Sequence, residues 1–326
     1  LRAGLEAVRA ASEAAGTPLQ GDLAANQRIA TAAGTLRPTC LAPGSMRAEW
    51  DGGQVLVVGL EGFRDFQPEL VAAVLPEAAG RLGLELAARP LTVDLPALRR
   101  RHLSGPDLAR CFEDRSFRRE LAGALRPALQ GATLVALPAV VGLEGHAEAT
   151  SELVRLLGPP LVELPTLPPS VPGLRLELAL TAALRRRGVR LQVGNWARVT
   201  PGHVELESAG HPLRIPAPRV VLATGGLAGG GLEIELDGSI RETAAGLPVF
   251  TPDAKVLFGR SFLEPGGHPV GCAGVLVDGR MRPLGDSREG LFCAGGLLAG
   301  ANSAVEKSAD GVSCATGWRA GAEVAA

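Results

Sequence analysis

From Gln54 to Arg187 the chain repeats one pattern, a short apolar run followed by a stretch with helical spacing. Gln54-Val55-Leu56-Val57-Val58-Gly59 precedes helical periodicity over about 68–81. A run over 84–93 precedes a helix over 115–129, and a run over 133–137 precedes one over 144–157. The last run, Leu161–Leu164, is closed by Pro165-Thr166-Leu167-Pro168-Pro169-Ser170. Adjacent prolines cannot donate to a strand ladder, so this is a rigid turn feeding a helix over 173–187. Runs that are apolar at nearly every position are buried on both faces, as in a parallel sheet covered by helices. The expectation is an α/β layered fold with a mostly parallel sheet.

After Gly188 the texture changes. Short segments over 189–193, 196–200, 203–207 and 213–215, separated by turns, predict a small antiparallel meander. Two further apolar runs end in glycines: Arg219-Val220-Val221-Leu222-Ala223-Thr224-Gly225-Gly226, and Gly290-Leu291-Phe292-Cys293-Ala294-Gly295-Gly296. A helix over 309–324 closes the chain, with Ser308 and Asp310 as candidate caps. Leu1, Leu5 and Val8 share one face of an opening helix that Gly16 stops. That helix begins uncapped and without an initiator methionine, so the natural chain is expected to start upstream. The expected division is a helix and linker over 1–25, an inserted α/β domain over 26–187, and the remainder of a nucleotide-type domain over 188–326.

Composition narrows the function classes. The formal net charge of the 326 residues is −1, which leaves no electrostatic footprint for nucleic acid. Cys40, Cys111, Cys272, Cys293 and Cys314 are scattered, with no C-x-x-C pair. A disulfide framework, a zinc site or an iron–sulfur cluster would need tighter grouping, so no metal is expected and a reduced, cytoplasmic chain is the simplest reading. No apolar run approaches the roughly 18–20 residues that span a bilayer. The basic residues are nearly all arginine, and tyrosine is absent, so no tyrosine can act as an acid here.

The two glycine-ended runs carry the chemical signal. Leu222-Ala223-Thr224-Gly225-Gly226 lets the backbone approach a ligand where a Cβ would collide, beyond the carboxyl end of its strand. Gly295-Gly296 leads through Gly300-Ala301-Asn302-Ser303 to the last helix, whose early Gly311 lies where backbone N–H groups and the positive end of the dipole would face a ligand. Thr224, Gly225, Gly226, Gly295, Gly296, Asn302, Ser303 and Gly311 are therefore the candidate cofactor-binding residues. A G-x-G-x-x-G fingerprint occurs nowhere, and Val58-Gly59-Leu60-Glu61-Gly62 has the wrong spacing.

Several stretches resemble the B subunit of the anaerobic glycerol-3-phosphate dehydrogenases, a flavoprotein family. They are Asn26-Gln27-Arg28-Ile29-Ala30-Thr31 with Gly34-Thr35-Leu36-Arg37, Val57-Val58-Gly59 with Asp65-Phe66-Gln67, and Leu164-Pro165-Thr166-Leu167-Pro168-Pro169-Ser170-Val171 with Gly173-Leu174-Arg175-Leu176. Leu222-Ala223-Thr224-Gly225-Gly226 with Gly230-Gly231-Leu232, then Ile240-Arg241-Glu242 and Gly290-Leu291-Phe292, complete the set. The Pro-Thr-Leu-Pro-Pro-Ser-Val run is the most specific of these. The resemblance implies an FAD/NAD(P)-binding-like (Rossmann-type) fold whose N-terminal βαβ unit is missing from these residues. It implies a flavin, FMN by resemblance with FAD possible, and oxidation of glycerol 3-phosphate to dihydroxyacetone phosphate with electrons passed toward quinone. It also implies two partners: the catalytic A subunit, and the iron–sulfur C subunit that anchors the complex at the inner face of the membrane. A docking protein without chemistry, or a flavin oxidoreductase of the succinate dehydrogenase type, are the other readings.

Within the matched stretches, Arg28, Arg37, Arg175 and Arg241 are candidates for a substrate phosphate, because a guanidinium matches its oxygens bidentately. Each also has the plainer reading of a surface or packing arginine. Oxidation of a secondary alcohol needs a base, and His268, in the loop between the two glycine-ended strands, is the candidate. Cys293 reads as packing. The runs Arg99-Arg100-Arg101 and Arg185-Arg186-Arg187 read as a solvated loop and a helix C-terminus, and His102, His146, His203 and His211 as histidines without a convergent partner.

Overall fold

The computed structural model describes residues 1–99, 103–194, 196–208, 211–253 and 256–326. Arg100, Arg101 and His102 lie outside the described residues. The chain divides into two compact units, residues 9–189 and residues 1–8 together with 190–326.

After α1 (Arg2–Ala14), four short strands pair antiparallel: β1 (Leu19–Gly21) with β4 (Leu41–Pro43), and β2 (Gln27–Ala30) with β3 (Leu36–Thr39). The body of the first unit is a four-stranded parallel sheet built from β5 (Gln54–Leu60), β6 (Ala87–Val93), β7 (Leu134–Pro138) and β8 (Leu161–Leu164), in the spatial order β6-β5-β7-β8. Leu56, Val57, Val58, Val135, Ala136, Leu137, Val162 and Leu164 are fully buried. These are the uninterrupted apolar runs of the sequence, and each buried branched side chain contributes about 1.5–3 kcal/mol relative to leaving it exposed.

Helices α2 (Pro68–Gly80), α3 (Gly105–Glu113), α4 (Arg115–Leu125), α5 (His146–Leu157) and α6 (Val171–Arg186) connect or cover these strands. α2 opens with Pro68 at its first turn, where a missing N–H costs nothing. A Cβ at Gly59 would fall 2.6 Å from Pro68 Cγ, so only glycine lets the helix start close over β5. α6 starts at Val171 because Ser170 Oγ accepts from Gly173 N–H at 3.3 Å.

Three expectations change in this unit. β6 begins at Ala87 rather than 84. The helix predicted to reach 129 ends at Leu125, and Arg126–Ala128 turns into a 3-10 segment at Pro127. α3 was not expected; Ser104 and Asp107 form a reciprocal capping box that starts it despite Gly105 and Pro106.

In the other unit, β9 (Trp196–Thr200), β10 (His203–Ser208) and β11 (His211–Pro216) form the antiparallel meander in the order β11-β10-β9. The segment over 189–193 is not a strand: it is exposed and β10 already has a neighbour on each side. β12 (Val220–Leu222) pairs in parallel with β15 (Leu291–Cys293), and β13 (Leu232–Ile234) pairs antiparallel with β14 (Ile240–Glu242). α7 (Ser303–Glu306) and α8 (Ala309–Ala325) end the chain. A smaller core gathers Leu222, Leu232, Leu247, Val275, Phe292, Leu297 and neighbours. The parallel strands thus belong to two sheets, one in each unit.

Candidate functional site

Strands β12 and β15 lie side by side with Val220 opposite Leu291 and Leu222 opposite Cys293. Ala294 N–H donates to Leu222 O at 2.8 Å, so the ladder runs to the last residue before the glycines. Both segments therefore leave the sheet at the same edge. A Cβ at Gly226 would fall 2.8 Å from Gly296 O, and one at Gly296 would fall 3.3 Å from Gly226 N. The two turns touch backbone to backbone. No plate-shaped ligand fits between them.

The loop after Thr224 folds back on itself. Gly229 N–H and Gly231 N–H both donate to Gly226 O, at 3.1 and 3.2 Å. A Cβ at Gly231 would meet Gly225 O at 2.0 Å and Thr224 Oγ1 at 2.6 Å. Thr224 Oγ1 is buried and has no hydrogen-bond partner, alone in this among the described residues. A buried hydroxyl without a partner is costly in a folded protein and marks a place where a ligand can supply one.

Helix α8 is fastened to the second turn by Thr316, whose Oγ1 accepts from Gly295 N–H at 2.8 Å and donates to Val312 O at 2.7 Å. Ser308 occupies the cap position but makes no capping bond; its hydroxyl donates to Glu306 Oε2 at 2.8 Å. The first-turn N–H groups of a 17-residue helix thus stay free of side-chain caps, with Gly311 half-buried among them. Ser303 is exposed at the start of the four-residue α7. Asn302 is buried and faces another loop: a Cβ at Gly271 would fall 3.0 Å from its Oδ1, and one at Gly267 would fall 2.8 Å from its Nδ2. A bare double turn, an unpartnered threonine hydroxyl and an uncapped helix start suit a flavin.

The FAD binding domain family matches residues 1–312. The probable B subunit of the anaerobic glycerol-3-phosphate dehydrogenase of Halobacterium salinarum is 33% identical over 280 residues, covering 80% of this chain and 64% of its own length. The anaerobic glycerol-3-phosphate dehydrogenase B subunit of Pasteurella multocida is 33% identical over 251 residues, covering 72% and 56%. That of Pectobacterium atrosepticum is 32% identical over 296 residues, covering 86% and 68%. The chain belongs to the family of anaerobic glycerol-3-phosphate dehydrogenase B subunits. It spans 64% of the length of the Halobacterium member. No solved structure matches it.

In this member of the B-subunit family each arginine candidate is placed within its own unit. Arg175 is buried, and its guanidinium is committed. Its terminal nitrogens donate to Glu163 Oε2 and Oε1 at 2.7 and 2.9 Å, and it also donates to Gly142 O and Val141 O. This is an internal ion pair and leaves no fork for a phosphate. Arg28 and Arg37 are exposed on the β2–β3 hairpin, but Arg37 stands opposite Ile29, and Arg28 opposite Pro38. Successive residues of a strand face opposite sides, so the two arginines point away from each other. Arg241, in the other unit, is held between Glu233 and Glu235 on the exposed β13–β14 hairpin.

His268 is a brace for its own loop. Gly259 N–H donates to Nδ1 at 3.0 Å, so the proton sits on Nε2, which donates to Phe262 O at 3.1 Å. The lone pair that a base would use is already taken. Cys293 is fully buried, and burial, then Glu242 and Asp286, pushes its thiol up to about 12. It is an inert packing residue. Among the described residues no group of three or more His, Cys, Asp or Glu side chains is placed to hold a metal, and no helix is long and apolar enough to cross a membrane.

Three buried carboxylates among the described residues were not expected: Glu152, which accepts from Arg118 Nε at 2.6 Å, Glu242 and Glu163. Glu242 accepts from the backbone N–H groups of Ala244, Ala245 and Leu247, at 2.9, 2.7 and 3.3 Å, and so shapes the turn after β14. Glu163 accepts from Ser45 Oγ at 2.7 Å and Val141 N–H at 2.8 Å besides Arg175, with His146 Nε2 3.8 Å away. Glu163 sits inside an otherwise apolar strand, and that placement was its sequence signal.

Proposed function

We propose that this protein is the flavin-carrying component of a quinone-linked glycerol-3-phosphate dehydrogenase and relays electrons from substrate oxidation toward quinone. The observation that carries the reading is the contact between the two glycine turns under the buried, unpartnered Thr224 hydroxyl. Membership of a family whose relatives are named as the B subunit of this dehydrogenase supports it. Thr224, Gly225, Gly226, Gly295 and Gly296 would together form the floor under the cofactor, and the first-turn N–H groups around Gly311 would face negative charge on the ring. A bound flavin supplies two-electron acceptor chemistry; the chain's own residues position it and exclude water. Asn302 and Ser303 would act only at the margin, since Asn302 packs against the 267–271 loop.

The relay is favoured over oxidation of glycerol 3-phosphate within this chain because His268 is engaged at both ring nitrogens and the Arg175 guanidinium is committed to Glu163. In this reading the catalytic A subunit oxidises glycerol 3-phosphate to dihydroxyacetone phosphate. The iron–sulfur C subunit holds the assembly at the inner face of the membrane.

The test is a titration of the purified protein with FMN and with FAD, followed by anaerobic addition of glycerol 3-phosphate with and without the catalytic partner. Saturable quenching of flavin fluorescence, with bleaching only when the catalytic partner is present, is the expected result. Bleaching by glycerol 3-phosphate with this protein alone would move the chemistry into this chain. Absence of any saturable flavin binding would end the reading.

A further inference from the structure

The unit of residues 9–189 carries a cavity of about 710 Å³ over the carboxyl ends of β5 and β6. That volume lies within the range of roughly 300–1,000 Å³ seen for small-molecule sites, and the carboxyl ends of parallel strands are where open α/β sheets take ligands. Its charged lining comes from Glu61, Arg64, Glu69, Asp94 and Arg99, with Gln67 and Thr92 as neutral polar groups. None of these belongs to the flavin site proposed above.

The charges decide what can enter. Arg99 holds Asp94 in a fork, with Nε 3.1 Å from each carboxylate oxygen and Nη2 2.9 Å from Oδ2. This pair is neutral as a unit. Among the described residues Glu61 and Glu69 then stand against Arg64, so the described lining is net negative. Among these residues a phosphate would meet two carboxylates for one guanidinium outside the Asp94 pair, and no group placed to hold a metal is present. A ligand rich in hydroxyls meets neither obstacle. It can donate to Asp94, Glu69 and Thr92 Oγ1, whose own hydroxyl donates to Glu69 Oε1 at 3.5 Å, and it can accept from Arg64.

Asp94 has the placement such a ligand needs. It follows β6 directly, the second strand of a β–α–β unit whose first strand is β5 and whose crossover is α2. An acidic side chain at this point of a dinucleotide fold receives the two hydroxyls of a ribose. Here the glycine cradle for a pyrophosphate is absent, and Glu61 and Glu69 occupy the corresponding turn and first helical turn. The Arg99 fork fixes the carboxylate plane of Asp94 while leaving lone pairs on both oxygens.

We propose that this crevice binds an uncharged vicinal diol, with Asp94 accepting from both hydroxyls. The diol can be that of a ribonucleoside or of a small polyol, and the experiment separates them. Calorimetric titrations of the intact protein with adenosine, 2′-deoxyadenosine and sorbitol are the test, each repeated with Asp94→Asn and Glu69→Gln. Saturable binding of adenosine, weakened about tenfold or more by loss of the 2′-hydroxyl, identifies a nucleoside site. Saturable binding of sorbitol without adenosine identifies a polyol site. In either case Asp94→Asn should weaken binding about tenfold, and Glu69→Gln should do so to a smaller degree if the first variant does not fold. No saturable heat with either diol, equal affinity for adenosine and 2′-deoxyadenosine, or unchanged binding in the folded variants would overturn the proposal.

Discussion

Glu163 takes both terminal nitrogens of Arg175, at 2.7 and 2.9 Å, where both side chains are buried. The pair joins the third residue of β8 to the first turns of α6 and holds the 141–142 loop through two carbonyls. Removing one partner leaves the other charge buried and alone. Glu163→Gln should therefore destabilise this unit by about 3–5 kcal/mol, while Glu163→Gln with Arg175→Met should recover part of that loss. Urea unfolding followed by tryptophan fluorescence, with Trp50 in the same unit, reads both.

Acidification should weaken the same cluster in two stages. Burial holds His146 below the ordinary imidazole range of 6.5, with the Glu163 charge opposing and the Arg175 charge adding to the effect. Burial pushes Glu163 up, but the charge and hydrogen bonds of Arg175 outweigh it, so the carboxylate stays below its ordinary 4.5. Below about pH 6.5 the unfolded chain takes a proton that folded His146 refuses, so stability falls as pH drops. Below 4.5 the unfolded carboxylate is protonated before the folded one, and the Glu163 contribution is lost as pH falls through its folded value. His146→Gln should abolish the first decline and keep the second in a series of melts from neutral to acid pH.

Thr224→Val removes a hydroxyl that has no partner in the folded chain. Its melting temperature should hold or rise slightly, because an unsatisfied buried donor is eliminated. Flavin affinity, read from fluorescence quenching, should fall about tenfold. Loss of stability with unchanged flavin affinity would give the hydroxyl a purely internal role.

Glu242→Ala should be among the most damaging substitutions in the unit that contains β12 and β15. Three backbone N–H groups lose their acceptor at once, and the expected loss is at least about 2 kcal/mol, read by thermal melting. Arg241→Ala, one residue earlier, should leave both the melting temperature and the apparent Michaelis constant for glycerol 3-phosphate in the assembled enzyme unchanged, since that guanidinium sits exposed between Glu233 and Glu235.

The parallel sheet was legible because β5, β7 and β8 are buried on both faces, which forces apolar residues at consecutive positions. The kinship of the segments ending at Gly226 and Gly296 was legible, since both strands carry the same ending, but not the contact between the two turns. Arg175 was misread because its partner lies 12 residues away on a neighbouring strand, and nothing local reveals that the two side chains face each other. His268 looked available for the same reason: its two partners are backbone atoms of its own loop. The crevice over β5 and β6 escaped notice because its polar residues come from the segment after β5, the start of α2, and the end of β6 with the segment after it, each ordinary by itself.

The contact between Gly226 and Gly296 limits how this protein can diversify. A Cβ at Gly226 would fall 2.8 Å from Gly296 O and wedge the two exits apart, disturbing β12 and β15 together. Tuning toward a different cofactor or potential must therefore come from elsewhere, at Thr224 or the opening turn of α8, while Gly226 itself is closed to substitution.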